Sequence, residues 1–287
     1  VTAPGDLVVV TTGIEVGREG TADAVSTQFV SGPVRDFFLI MSPDFEVETS
    51  TINGGEIRSY HLPGHASANS DALYIARDSL DIYNQQFGHY PYRELDVVEA
   101  PLRGISGVEF PGIILVRSGY YNNTDDPVFT VVLAHEVAHQ WWYNVVGNDV
   151  FDDPWLDEAL TTYTSSLYYE FEQGKPATKG ITDYWQANYK GAVDRGHDER
   201  ITQNLAYFEN LSDSSVYGRI VYSKGALFFK ALREEIGDEA FFHALKDYYA
   251  SYRYQIAKPE HLLTLFEETA GRPLTNFYQD WLYTPSK

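Results

Sequence analysis

Short apolar runs, broken by Gly, Pro and Asn, fill the chain from Val1 to about His61. Alternating or apolar runs of four to eight residues that are bounded by turn residues are typical of β-strands. The pattern therefore predicts antiparallel strands in this part of the chain, at LVVVTT, STQFV, DFFLIM, FEVETS and EIRSYHL.

The period of the pattern changes after residue 61. The segment HLPGHASAN has the composition of a linker, and apolar residues then recur at helical spacing from Leu73 to Tyr83. We place a domain boundary in this segment. Beyond the helix, two more strand-like runs, LDVVEA and GIILV, flank the glycine-rich segment RGISGVEFPG.

Helical patterns dominate the rest of the chain. One helix is predicted from about Pro127 to Val146, with Asp126 as its N-cap and Gly147 just past its end. A second is predicted to be capped by Asp153, to begin at Pro154 and to run to about Glu172. Further helices are expected at about 222–236, 239–252, 259–269 and 274–283.

Composition narrows the classes of partner. The 41 acidic and 21 basic residues give a formal charge of -20, which disfavours nucleic acid and anionic membranes as partners. No apolar run is long enough for membrane insertion, and the N-terminus lacks the pattern of a signal peptide. Because the chain begins at Val1 and has a single Met, we expect a fragment of a longer protein. Its compartment is left open, with a slight lean towards an extracytoplasmic or secreted setting.

A metal site is indicated by the segment HEVAH, residues 135–139. With no cysteine in the chain, a transition metal must use His, Asp or Glu. His135 and His139 lie one helical turn apart and can bind one zinc ion, and Glu136 can act as general base on a zinc-held water. Glu158, which is separated from His139 by eighteen residues, is the predicted third ligand. The pentapeptide alone also arises by chance, and the other histidines stand alone in the sequence.

The segment HEVAHQWWYNVVG followed by PWLDEALTTY resembles the HExxH-x18-E core of the aminopeptidase N family of gluzincin peptidases, which also includes leukotriene hydrolase. A gap of nineteen is typical of thermolysin-like relatives. The resemblance implies an α+β chain with one zinc ion. Residues 1–64 would be the end of an antiparallel β-domain, and 65–287 a thermolysin-like catalytic domain with a small mixed sheet and a mainly helical half.

Two further segments support this resemblance and imply roles for particular residues. SGVEFPG falls where the family has GxMEN, which implies that Glu109 binds the α-amine of the substrate and that Gly107 and Val108 belong to the substrate-binding strand. Val108 and Phe110 replace the usual Met and Asn, which leaves the polarity of the first subsite open. Without this resemblance, Glu109 would be predicted to be a solvent-exposed carboxylate in a loop.

The segment YGRIVYSKGALFF resembles the part of the family that carries a catalytic tyrosine followed by x-K-G. This implies that Tyr222 donates to the oxyanion, with Tyr217 in an auxiliary role. Asp157 departs from the common Asn before the ligand Glu158 and is expected either behind a metal-bound His or exposed at the helix N-terminus.

The function expected from these residues is zinc-dependent hydrolysis of the N-terminal bond of peptides with a free N-terminus. The alternatives are a thermolysin-type endopeptidase, a truncated zinc-binding fragment with little activity, and epoxide hydrolysis. The resemblance also implies that flanking domains of a full-length protein are missing from the chain.

Overall fold

The computed structural model describes residues 1–52 and 54–284. Its strands are β1 Thr2–Ala3, β2 Val8–Thr11, β3 Ile14–Thr21, β4 Ala24–Val30, β5 Leu39–Ser42, β6 Glu46–Ile52, β7 Gly55–His61, β8 Glu94–Ala100, β9 Gly107–Phe110, β10 Ile113–Arg117, β11 Val146–Gly147 and β12 Gln255–Ile256. Its α-helices are α1 Ala66–Phe87, α2 Pro127–Ala138, α3 Trp155–Gln173, α4 Lys179–Val193, α5 Leu205–Glu209, α6 Ser215–Tyr217, α7 Gly225–Ile236, α8 Asp238–Tyr252, α9 Pro259–Ala270 and α10 Thr275–Tyr278. The predicted α+β class is confirmed. No helix among the described residues is long and apolar enough to cross a membrane.

The first compact unit comprises residues 1–81 and 89–140 and carries the larger sheets. The strands β1, β4 and β3 form one antiparallel sheet, and β2 pairs antiparallel with β5. The third sheet has the order β6-β7-β8-β10-β9 and is mixed, because β8 pairs parallel with both β7 and β10. The apolar runs LDVVEA and GIILV become β8 and β10 at its centre, where nearly every residue is buried.

The predicted boundary at residue 64 stays a prediction, and the mixed sheet takes strands from both sides of it. The prediction of antiparallel pairing holds for β1 to β6, whereas β7 also has a parallel partner in β8. The strand β3 was not predicted, because its sequence IEVGREGT contains two glycines and charged residues and is mostly exposed.

The second compact unit comprises residues 82–88 and the described residues from 141 onward. Its core is aromatic. Trp155 at the start of α3 packs on Phe228 and Phe229 of α7, at ring-centroid distances of 6.2 and 6.4 Å. Phe241 of α8 stacks on Phe266 of α9 at 5.3 Å. The helix α4 was missed by the sequence analysis, since its sequence KGITDYWQANYKGAV buries only Thr182, Trp185 and Ala192.

The predicted end of the first long helix and the predicted start of the second are wrong. The helix α2 ends at Ala138 and not at Val146. The following segment WWYNVV is mostly apolar, so its pattern resembles that of a continuing helix. In the structure its two tryptophans are buried side chains of a turn. Trp141 Nε1 donates to the Gly88 carbonyl at 2.8 Å, and Tyr143 adopts a φ of 93°, which no α-helix contains. The helix α3 begins one residue later than predicted, with Pro154 in the N-cap position in place of Asp153.

Candidate active site

The helix α2 carries the two histidines at its C-terminal end. It begins as predicted, since the Asp126 side chain accepts a hydrogen bond from the Val128 backbone N–H at 3.0 Å. The Nε2 atoms of His135 and His139 lie 3.1 Å apart, and the two rings are nearly perpendicular at 83°. Tetrahedral coordination with Zn–N distances of about 2.0–2.1 Å places two nitrogen ligands about 3.3 Å apart. The pair therefore fits a zinc ion with little movement of either ring.

Glu136 lies between the histidines in sequence and faces the strand β9. Its side chain is buried, with 5% of the residue exposed. A Cβ atom added to Gly107 would lie 2.3 Å from Glu136 Oε1 and 2.5 Å from the carboxyl carbon. The backbone of β9 at Gly107 therefore contacts the carboxylate of Glu136 so closely that no side chain fits between them.

Glu109 points towards the same group of side chains. One carboxylate oxygen each from Glu109 and Glu136 and one ring nitrogen of His139 lie within 4.8 Å of one another. The structure thus brings Glu109 beside Glu136. Glu109 is half-buried in a β-strand, and the expectation of a solvated loop residue, drawn from the residues alone, is wrong.

The residues on either side of Glu109 have a different role. Val108 and Phe110 are partly buried against the apolar cluster of the first unit, and the Phe110 ring stacks on Phe38 at 4.0 Å. Because side chains alternate along a strand, Glu109 faces the opposite side. The exchange of the usual Met and Asn for Val108 and Phe110 therefore changes the core side of β9 and not the face that carries Glu109.

Gln140, which directly follows His139, was not singled out in the sequence. Its residue is 0% exposed. Its amide Nε2 donates to the Phe110 carbonyl at 3.0 Å, and its Oε1 accepts from the Gly112 N–H at 2.9 Å. Nothing in the sequence pattern marks this contact, because it joins positions about thirty residues apart.

The second unit carries Glu158 in the first turn of α3. The Tyr222 hydroxyl donates a hydrogen bond to Glu158. Burial, followed by the negative charge of Glu158, raises the pKa of Tyr222 well above its ordinary value. Tyr217 packs edge-on against Tyr222, with ring centroids 5.6 Å apart. Asp157, one residue before Glu158, is 3% exposed and accepts from Asn148 Nδ2 at 3.1 Å, so the expectation of exposure is wrong.

Tyr222 belongs to a π-helical segment, Gly218–Lys224, that runs into α7. Single π-helical turns within helices are frequent at functional sites. Directly after the segment, the absence of a side chain at Gly225, the first residue of α7, allows close packing on α3, because an added Cβ would lie 2.4 Å from the Ala159 Cβ. The predicted start of a helix at Tyr222 is wrong, because the helical path already begins upstream, at Gly218.

A buried ion pair anchors the end of this π-helical segment. Lys224 is 2% exposed, and its Nζ donates to Asp198 Oδ1 at 2.8 Å and to the Glu199 carbonyl at 2.9 Å. The ammonium also lies 5.2 Å from the ring centroid of Tyr189, whose hydroxyl donates to the same Asp198 oxygen. Lys224 thereby ties the segment that carries Tyr222 to the loop after α4.

Replacing Lys224 by Met is expected to lower the free energy of unfolding by about 3 kcal/mol, because it leaves the Asp198 carboxylate buried without its cation. Urea denaturation measures the change. The matched control is Lys230→Met, which removes a partly exposed i,i+4 pair with Glu234 and is expected to cost less than about 1 kcal/mol. Equal losses for the two variants would contradict the anchoring role of Lys224.

Comparison with known proteins places the chain in a family. Residues 72–281 match the model of the peptidase family M1 domain. Aminopeptidase M1-B of Oryza sativa subsp. japonica is 28% identical over 245 residues, which cover 82% of this chain and 28% of the relative. Aminopeptidase M1-D of the same organism is 27% identical over 293 residues, covering 97% and 33%. The chain thus spans about a third or less of these relatives.

A solved structure shares the fold. The M1 zinc metallopeptidase of Deinococcus radiodurans, a mutant bound to a Tyr-Ser-Ala substrate, superposes with a TM-score of 0.74 at 19% identity. The match covers 100% of this chain and 63% of the solved chain. Since the family model covers well over half of the sequence, this chain belongs to peptidase family M1.

Proposed function

We propose that this chain is the catalytic part of a zinc-dependent aminopeptidase, which hydrolyses the N-terminal peptide bond of peptides with a free α-amine. The observation that carries the proposal is the grouping of Glu109 with Glu136 and His139 within 4.8 Å. A carboxylate in this position can pair with a substrate ammonium and hold the first peptide bond beside the group that activates water. A tripeptide bound to the M1 metallopeptidase of D. radiodurans supports peptides as substrates.

The proposed zinc ligands are His135, His139 and Glu158, with one ion per chain. The fit of the histidine pair, the eighteen-residue spacing to Glu158 and the membership of family M1 support this set. A zinc ion held by these three residues would supply a Lewis acid, which would make water easier to deprotonate and would polarise the scissile carbonyl.

Glu136 is the proposed general base. Its carboxylate takes a proton from the attacking water and delivers it to the nitrogen of the departing amine. The buried position of Glu136 against Gly107 holds the carboxylate in one place, which favours both transfers. Tyr222 is proposed to donate its hydroxyl proton in a hydrogen bond to the oxyanion of the tetrahedral intermediate, with Tyr217 packed behind it.

Substrate binding is assigned to β9. Glu109 pairs with the α-ammonium, and the backbone of Gly107 and Val108 pairs with the peptide. The strand β9 lies at the edge of its sheet, with β10 as its neighbour, and an edge strand can accept an extended peptide through main-chain hydrogen bonds.

Metal binding can be tested without turnover. The purified chain is expected to hold about one zinc ion, measured by elemental analysis after dialysis, and zinc is expected to raise its melting temperature through mass action. Replacing His139 by Gln is expected to abolish both effects. The control is His243→Gln, because His243 is exposed on α8, with 65% of its side chain accessible. A folded chain that stays metal-free in zinc-containing buffer would refute the site.

Amine recognition separates an aminopeptidase from the alternatives. Aminoacyl amides with a free amine are expected to be cleaved at least about 100-fold faster than their N-acetyl forms, and Glu109→Gln is expected to reduce this preference. Equal rates for the two forms, together with cleavage inside long peptides, would identify an endopeptidase. Zinc binding without cleavage of either form would identify a fragment that needs its flanking domains.

A further inference from the structure

The buried amide of Gln140 connects the end of the metal-binding helix to the strand that carries Glu109. We propose that Gln140 is a positioning residue that sets the distance between the amine-binding carboxylate of Glu109 and the metal ligand His139. The inference rests on the proposed function, because it concerns the distance between the proposed amine-binding group and the proposed metal site.

The contact is specific in both directions. Gln140 Nε2 donates to the Phe110 carbonyl at 3.0 Å, and Gln140 Oε1 accepts from the Gly112 N–H at 2.9 Å. The first of these backbone groups belongs to the last residue of β9, and the second lies in the turn between β9 and β10. Phe110 is the last residue of β9 and is opposite Ile113 in the ladder. The amide therefore binds the turn through one donor and one acceptor, which neither a hydrocarbon nor a carboxylate side chain can reproduce.

This pair of hydrogen bonds connects the residues that follow His139 and Glu109 in the chain. Gln140 is joined covalently to His139, and Phe110 is joined covalently to Glu109. Between the ligand and the amine anchor there is thus a path of two residues and one buried pair of hydrogen bonds. Gln140 is fully buried, so the bonds form in an environment where they are strong and where losing them is costly.

The strand β9 is held in its sheet from one side, so the contact with Gln140 adds a second point of attachment. It is an edge strand, with β10 as its ladder partner, and β10 pairs with it over only four residue pairs. A second tether at its end fixes where Glu109 lies along α2. In an aminopeptidase the separation of the ammonium site from the metal decides which bond is cut, and a misplacement of about 1 Å can cost about 100-fold in rate.

A pair of ligands isolates this role. Leucine hydroxamate carries the α-amine, and 4-methylpentanohydroxamate is the same molecule without it, so the ratio of their dissociation constants reports the contribution of the amine. Calorimetry on the zinc-loaded chain measures both by binding and not by turnover. The wild type is expected to prefer the amino compound by at least about tenfold, as for a charge-assisted hydrogen bond.

Met is similar in length to Gln and has no amide. In the variant Gln140→Met, we expect the preference for the amino compound to fall to about threefold or less. The affinity for the compound without the amine is expected to change by less than about threefold. The control Gln85→Met, at an exposed position of α1, is expected to retain the wild-type ratio. The double variant Gln140→Met with Glu109→Gln should lose no more of the preference than Glu109→Gln alone. A second variant, Gln140→Glu, keeps the acceptor for Gly112 and loses the donor to Phe110, and should reduce the ratio as well.

The possible outcomes distinguish the amine-binding site itself from the positioning role of Gln140. A wild type with no preference for the amino compound would overturn the proposed amine site itself. A wild-type preference that persists in both Gln140 variants would overturn the positioning role alone. If both variants lost affinity for the two compounds equally, Gln140 would merely support the fold and the inference would be wrong.

Discussion

Replacing Glu136 by Gln is expected to lower kcat for an aminoacyl amide by about 1,000-fold while the chain keeps its zinc. The amide of Gln has the shape of the carboxylate but cannot accept the proton of the attacking water. Because Glu136 is not among the proposed zinc ligands, the metal should remain bound. Steady-state kinetics and elemental analysis on the same preparation measure the two quantities.

The control for this experiment is Glu172→Gln, which makes the same chemical change at an exposed position of α3 and should leave kcat unaltered. Two results would contradict the assignment. Unchanged kcat in Glu136→Gln would exclude Glu136 as the base, and loss of zinc together with activity would make it a ligand or a support of the ligands.

The start of α2 could be predicted from sequence because its signals are local. Asp126 and Pro127 supply the cap and the first turn, and His135 and His139 follow at a spacing that any helix places on one face. The end of α2 could not be predicted, since Trp141 and Trp142 continue an apolar pattern while their indole groups bond to Gly88 and Thr164. Hydrophobicity alone does not distinguish a buried turn from a buried helix.

The contacts around the candidate site could not be predicted from the sequence, because they join residues that are far apart in the chain. Gln140 bonds to residues about thirty positions away, and Lys224 pairs with Asp198. A single sequence read by itself offers no signal for such pairs. The π-helical segment around Tyr222 adds a residue to a turn and so shifts the helical face, which a fixed period of 3.6 does not register. The role predicted for Glu109 likewise came from the family resemblance and not from its own surroundings in sequence.

Replacing Gly107 by Ala is expected to reduce kcat by about 100-fold, because it displaces the proposed general base. The added Cβ would lie 2.3 Å from Glu136 Oε1, 2.5 Å from its carboxyl carbon and 2.6 Å from its Cγ. The whole end of the side chain must therefore move, or β9 must move away from α2. Either movement separates the proposed base from the strand that is proposed to bind the substrate.

The backbone at Gly107 is not in the left-handed region, so the alanine adds a clash without a conformational penalty. Gly17→Ala provides the matched control, since Gly17 is also a strand glycine with ordinary φ in the same unit, and its added Cβ meets only Gln28 Oε1 at 3.6 Å. Kinetics and zinc content for both variants decide the question. If Gly107→Ala kept full kcat, the close contact between β9 and Glu136 would have no part in placing the base. If kcat fell with zinc retained, the result would support a role for this contact in placing the carboxylate of the proposed base.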